Sequence, residues 1–392
     1  MGAASAWKYG FPERDKDLTR YSELAAWAFN ASFEELEPKV RALGSPIVRV
    51  MQDGRRVAGG ALIYPMGQWF GGRCIPMTGV AAVTIAPGLR ARRLASELMR
   101  SLLLEIHEKK VPLSVLYPAV TSLYRQAGYE TAGGRYEVKL LLRTFEIRER
   151  ALEVREFEPG DAAKVLALYN ERVKGLNGPI DRASPGWQKL VDIWRGPVIR
   201  HGVWNGKHLE GAVSYFPKLR EGSLALTEIV SGTPAASRRL LAFLGAHRTQ
   251  SETCIFHTYP GDPLLAELQP YSHQLRVQSQ WMLRIVDVAR ALEARGYAPG
   301  VEAAVELEIR DDVLAHNNRR YRVEVSRGKA QVRRGGRGQI KLDIRGLSAL
   351  YSSHLPAGEL ARLTPHLSAS PAQLAALQAI FAGPTPWMAE GF

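Results

Sequence analysis

What most constrains this chain is that a large part of it occurs twice. The segment 7–29 (WKYGFPERDKDLTRYSELAAWAF) reads as a strand, an acidic turn and a helix, and 152–173 (LEVREFEPGDAAKVLALYNERV) repeats that order. The segment 81–99 (AAVTIAPGLRARRLASELM) is echoed by 224–245 (LALTEIVSGTPAASRRLLAFLG). Each of these is a strand, a turn bearing Pro or Gly, and a helix entered through an Arg pair. The repeat distance is roughly 145 residues in both cases. Such a repeat demands two similar α/β units in tandem, and a chain of 392 residues then leaves about a hundred for a third.

Within the first unit, 47–51, 57–64 and 79–85 are strand candidates, the last stopped by Pro87 and Gly88. From Arg92 the period changes. Leu94, Leu98, Leu102 and Ile106 recur every fourth residue, with Arg93, Glu97, Arg100, Glu105 and Glu108 between them, which predicts an amphipathic helix. A strand at 113–117, a short helix near 121–127 and a strand at 135–143 complete the unit. The last hundred residues differ: strand-like runs at 304–309, 320–325 and 329–333 precede helix-like segments at 346–353 and 357–363. They predict an α+β module with an antiparallel sheet.

Charge narrows the partners less than it first suggests. Lys and Arg number 52 against 39 Asp and Glu, a net charge of +13, and only 13 of the basic residues are Lys. A basic balance serves nucleic acid, an anionic small ligand, or simply an Arg-rich genome. The most basic stretch, 310–345, holds eleven Lys and Arg against four Asp and Glu, but alternates with apolar strand positions, as a solvated sheet face does. Cys74 and Cys254 are too few and too far apart for a disulfide framework or a Cys-based zinc site. With no long apolar run and no leader pattern, the expectation is a cytoplasmic protein without membrane or nucleic-acid partners. No His-Glu-x-x-His, P-loop or dinucleotide fingerprint is present, and His107 and His257 stand isolated, so no metal is expected.

The chemistry concentrates at 83–99. A strand ends, a short loop carries Gly88, Arg90, Arg92 and Arg93, and a helix starts at once. Orphan amides and the positive end of a helix dipole suit a pyrophosphate, and arginines add bidentate donors. An ordinary basic-edged surface helix has the same spacing. The segment resembles the acetyl-CoA signature of the GNAT acetyltransferases, Arg/Gln-x-x-Gly-x-Gly/Ala, which Arg90-Ala91-Arg92-Arg93-Leu94-Ala95 fills with Arg93 in place of the glycine. A side chain there either crowds the pyrophosphate or reaches round to it. TSLYRQAGYE (121–130) is similar to the helix and Gly-aromatic turn that closes GNAT domains, with Tyr124 at the tyrosine position.

Over its whole length the chain resembles the Eis (enhanced intracellular survival) family of N-acetyltransferases. The resemblance is carried by WMLRIVDVARALEARGYA (281–298), LSALYSSHLPAGELARL (347–363) and the aromatic last residue. It implies an N-terminal GNAT acetyltransferase domain (1–148), a degenerate central GNAT-like domain (149–285) and a sterol-carrier-protein-like α+β domain (286–392). It further implies that Val83, Thr84, Ile85, Arg90, Ala91, Arg92, Arg93, Leu94, Ala95 and Ser96 bind acetyl-CoA. In that scheme Tyr124 protonates the leaving thiolate and the α-carboxylate of Phe392 acts as base. Phe29, Glu34 and Glu390 border the amine, with Phe29 placed equally well in a core or a pocket wall and Glu35 a neighbouring choice for the acid. The implied activity is acetyl transfer to primary amines of an aminoglycoside-like polyamine or a Lys side chain, by a hexamer. The rival is a non-enzymatic binding protein whose first unit is impaired by Arg93. The second-unit echo SGTPAASRRLL (231–241) lacks the Gly/Arg-rich loop, and is expected to bind no cofactor and to serve packing and assembly.

Overall fold

The computed structural model of the chain describes residues 7–144, 147 and 149–392; the expected boundary near 148 lies outside them. The first unit runs β1 (Lys8–Gly10), α1 (Asp15–Phe29), α2 (Phe33–Leu43), β2 (Val48–Gln52), β3 (Val57–Phe70), β4 (Arg73–Ile85), α3 (Leu94–Glu108), β5 (Leu113–Leu116), α4 (Thr121–Gln126) and β6 (Glu130–Leu141). The second runs β7 (Glu153–Glu156), α5 (Ala162–Val173), α6 (Pro185–Trp194), β8 (Ile199–Asn205), β9 (His208–Tyr215), β10 (Ser223–Ser231), α7 (Pro234–Gly245), β11 (Thr253–His257), α8 (Pro263–Ala266) and β12 (His273–Ile285). Both units join one 12-stranded sheet in the order β1-β2-β3-β4-β5-β12-β6-β11-β10-β9-β8-β7. The last strands are exchanged. β5 continues into β12, which belongs to the second unit, and β11 continues into β6, which belongs to the first. Neither half of the duplication closes its sheet alone.

The predicted periodicity at 94–106 forms α3, whose Leu94, Leu98, Leu102 and Ile106 are all buried. A buried Arg49 on β2 holds that helix in place: its guanidinium grips Glu105 through Nε–Oε2 at 2.9 Å and Nη2–Oε1 at 2.6 Å. Two strands run longer than the sequence suggested. β3 and β4 form a hairpin out to Phe70 and Arg73, turned by Gly71 and Gly72, both at positive φ. Pro65 does not stop β3, because its nitrogen faces outward with those of Ile63 and Trp69, whose N–H groups bond Ile47 and Pro179 rather than β4. β6 likewise starts at Glu130, not 135, because pairing with β12 extends that far.

The third module contains α9 (Val288–Ala294), β13 (Ala303–Arg310), β14 (Arg320–Ser326), β15 (Lys329–Arg334), β16 (Ile340–Asp343), α10 (Ile344–Tyr351), α11 (Ala357–Leu363), β17 (Leu367–Ser368) and α12 (Pro371–Phe381). Its sheet, ordered β15-β14-β13-β16-β17, is mixed rather than antiparallel, since β13 and β16 run parallel. The direction of β16 follows from α10, which leaves it to pack on β6 and β12 and carries Arg345 to Glu130, with Nε–Oε2 at 2.9 Å. The basic stretch does form an alternating face: β14 exposes Arg320 and Arg322 and buries Tyr321 and Val323, and several of these arginines pair with Glu308, Asp312 and Glu324. His107 is not isolated. Its ring stacks on His316 of this module at 3.6 Å.

One buried ion pair ties module, sheet and α4 together. Arg284 on β12 donates from Nη2 to both oxygens of Asp311 at 2.7 Å and from Nε to the carbonyl of Ala127 at 2.9 Å. Both side chains are fully buried. Removing one partner of such a pair strands a buried charge. Arg284→Ala is therefore expected to lower stability by about 3–5 kcal/mol in denaturant unfolding, whereas Arg284→Lys, which keeps a cation beside Asp311, loses less. Equal losses in both variants would show that the charges are not what holds the junction.

Candidate active site

The site begins where two parallel strands part. β4 pairs with β5 from Met77–Leu113 to Val80–Leu116, and β4 then continues alone to Ile85. Past that point the register with β3 slips between Leu62 and Gly60, and Ala82 adopts φ +49°. This bulge re-aims the β4 backbone. Tyr21 of α1 donates its hydroxyl to the Ala82 carbonyl at 2.9 Å, while Ala81, Ala82 and Val83 stay half-buried along the open wedge. Thr84 and Ile85 are buried, and the Thr84 hydroxyl is taken up by the Leu24 carbonyl at 3.3 Å.

A 3-10 turn (Pro87–Arg92) leads from β4 into α3, so the first-turn amides of Leu94, Ala95 and Ser96 lack partners within the helix and open at the wedge. The side chains of Arg90, Ala91 and Arg92 lie outside the described ones. Arg93 is exposed, caps α3 at φ +57° and ψ +8°, and makes no ion pair among the described residues. That conformation is left-handed, which accounts for the glycine in the motif this segment resembles. The wedge, the amides and an unpaired guanidinium fit an extended thioester with a pyrophosphate at one end.

On the β5 side of the wedge, α4 presents Tyr124, followed by Gly128 at φ +85° and Tyr129. A Cβ on Gly128 would sit 2.8 Å from Arg284 Nε, so the glycine is needed for both turn and contact. Tyr124 is buried edge-on against Tyr129 at 6.1 Å, and its hydroxyl has no hydrogen-bond partner among the described residues. Burial pushes its phenol up to about 12.

Into the same wedge comes the end of the chain. Phe392 packs edge-on to Tyr117 at 5.8 Å, and a Cβ on Gly79 of β4 would sit 2.9 Å from the Phe392 ring. The tail reaches this point along a track of backbone contacts. Trp387 donates its N–H to Asn177 at 3.0 Å, Met388 donates to Gly134 at 3.1 Å, and Arg135 Nε donates to Ala389 at 2.8 Å. Close approach again requires glycine: a Cβ on Gly178 would lie 2.5 Å from the Trp387 carbonyl. Phe29 and Glu34 are both exposed, on the last turn of α1 and the first of α2, and Ser32 donates to Glu34 Oε2 at 2.8 Å. Phe29 is thus not core. No hydrogen bond or ring contact joins Phe29 or Glu34 to Tyr124 or Phe392. Glu390, grouped with them from sequence, is buried elsewhere, with Oε1 accepting from Arg182 Nε of the second unit at 2.8 Å. Tyr117, Arg135 and Arg182 carried no sequence signal, since each meets the tail across more than 200 residues.

Models of an acetyltransferase (GNAT) domain match residues 7–132 and, separately, 178–285, and a sterol carrier protein domain matches 288–389. A GCN5-related N-acetyltransferase from Anabaena variabilis is 35% identical, covering 98% of this chain and 100% of that one at a TM-score of 0.92. One from Kribbella flavida is 26% identical over the whole of both chains, at a TM-score of 0.86. The chain belongs to the GCN5-related N-acetyltransferases, and acetyl-CoA is its co-substrate. Within them it is Eis-like: the N-acetyltransferase Eis of Mycobacterium tuberculosis is 25% identical over 350 residues, 85% of each chain. No helix among the described residues is long and apolar enough to cross a membrane.

Replacing Arg93 tests the cap. Arg93→Gly is expected to raise stability by about 1 kcal/mol through relief of left-handed strain. It should also raise KM for acetyl-CoA by about two- to fivefold, the worth of one exposed charge contact. A lower KM would instead mean that the side chain crowds the pyrophosphate.

Proposed function

We propose that this wedge transfers the acetyl group to primary amines of a cationic substrate, an aminoglycoside-like polyamine or a Lys side chain, by direct attack on the thioester. The observation that supports the reading is the packing of the Phe392 ring between Gly79 of β4 and Tyr117, and we assign its α-carboxylate to the site of chemistry. The amide groups of Val83 and Ile85 beside the bulge orient and polarise the thioester carbonyl, as preorganised dipoles do. The first turn of α3, with Arg90, Arg92 and Arg93, holds the pyrophosphate. As the amine adds and the C–S bond breaks, the Tyr124 hydroxyl stabilises the departing thiolate by hydrogen bonding and gives up its proton late, since its raised pKa makes it a weak acid. The amine's surplus proton passes to the Phe392 carboxylate. With a pKa near 3.5 that group is a weak base, and its main contribution is to hold the ammonium in place. Phe29 and Glu34, exposed where α1 gives way to α2, are the residues we assign to the amine's outer contacts.

We further propose a cytoplasmic hexamer without metal, nucleic-acid or membrane partners, to be checked by sedimentation and by salt-independent behaviour toward DNA. Supporting this, the basic face of the third module is neutralised in part by its own carboxylates.

Tyr124→Phe is expected to lower kcat by about a hundredfold or more while leaving KM for acetyl-CoA in place. Because burial raises the phenol, Tyr124 stays protonated at every pH below about 12. The rate should accordingly rise as the amine deprotonates and show no fall near pH 10, where an ordinary tyrosine ionises. A residue appended after Phe392 moves the carboxylate by about 3.5 Å and should depress turnover; an indifferent result refutes the terminal base.

A further inference from the structure

We propose that the second cleft of the duplication is a clamp for the chain's own C-terminus, and that Arg182 is the residue through which it positions the terminal carboxylate. This rests on the reading that the Phe392 carboxylate serves the reaction.

The second unit repeats the geometry of the first. β10 and β11 pair in parallel over Ser223–Ala225 and Thr253–Ile255 and then part, and β10 slips register between Leu226 and Glu228, as β4 does at Ala82. In the second unit, side chains and the tail occupy the space beside β10. The Arg182 guanidinium lies 3.8 Å from the centre of the Tyr169 ring, pairs with Glu228 on β10, and donates from Nε to Glu390 Oε1 at 2.8 Å. Trp387 of the tail covers the remainder, its ring 5.4 Å from Tyr259, which Arg172 holds through a 2.7 Å bond. About 50 Å³ of space remains between these side chains.

The tail is gripped at Glu390 from both halves of the molecule. Its side chain goes to Arg182 of the second unit, and its carbonyl accepts the Tyr117 hydroxyl of the first at 2.7 Å. Beyond Glu390 only exposed Gly391 precedes Phe392. Two extended residues span at most about 7 Å, so this is the last polar side-chain anchor before the carboxylate. Stability alone does not explain the arrangement. One arginine between the buried Glu390 and the half-buried Glu228 leaves Glu390 Oε2 without a partner among the described residues, and buried ion pairs gain little over apolar packing. What such a pair does supply is a defined position, which matters where misplacement of a reacting group by about 1 Å can cost a hundredfold in rate.

Glu390→Ala removes the grip and leaves the Arg182–Glu228 pair intact. It is expected to lower kcat by about ten- to a hundredfold with KM for acetyl-CoA unchanged, and to speed hydrogen exchange at amides 387–392. Glu390→Gln, whose amide oxygen still accepts from Arg182, should recover most of the rate. Arg182→Lys should lower kcat as well, and the losses of Arg182→Lys and Glu390→Ala should be non-additive in the double variant. Unchanged exchange and kcat in Glu390→Ala, additive losses, or a loss confined to KM for the amine would each overturn the clamp. Should the appended residue leave turnover unchanged while Glu390→Ala still frees the tail, the terminal base has failed and the grip has not.

Discussion

Two strands lodged in each other's half of one sheet set the terms for everything else in this protein. β12 completes the first unit between β5 and β6, and β6 completes the second between β12 and β11. A gene duplication alone would leave two sheets free to drift apart; exchanged strands place their backbone hydrogen bonds across the boundary, so separating the halves would leave a row of buried amides and carbonyls unpaired. The two wedges are thereby held at a constant offset. Arg284 on β12 extends the same rigidity to the third module through Asp311 and to the Tyr124 helix through Ala127.

That rigidity also fixes the path of the chain terminus. Ends of chains usually fray. Here residues 386–392 run along β6 and past both wedges, accepted by glycines at 79 and 178 and held by Tyr117, Arg135 and Arg182. The net charge of +13 takes on a different meaning in this light. Much of it is dispersed over the third module's exposed strands or consumed in pairs, and one half-buried arginine, Arg182, meets the carboxylate of Glu390 two residues before the last.

Reading the sequence recovered what is encoded locally. The fourfold spacing of Leu94, Leu98, Leu102 and Ile106 specified α3, and the Arg-rich loop before it marked the wedge. The glycine position filled by Arg93 proved to be a left-handed cap, a fact implicit in the motif but visible only as a φ angle. Strand lengths went wrong where neighbours decide them: β3 was expected to end at residue 64, yet it runs on to Phe70 because the Pro65 nitrogen faces away from the ladder with β4. The resemblance grouped Glu390 with the amine contacts, and in the fold its side chain meets Arg182.

The sequence by itself determined that there are two α/β units and a third module, and which unit carries the Gly- and Arg-bearing turn before its helix, because periodicity, turn residues and helix entry are properties of short stretches. Only the tertiary structure decided that the units share strands, that the second wedge closes on Arg182 and the tail, and that residue 392 ends in the first. Those outcomes depend on pairs more than 100 positions apart, such as β6 with β12 or Arg182 with Glu390. Such pairs leave no periodic trace, and they form because an open strand edge and a buried carboxylate each require a partner.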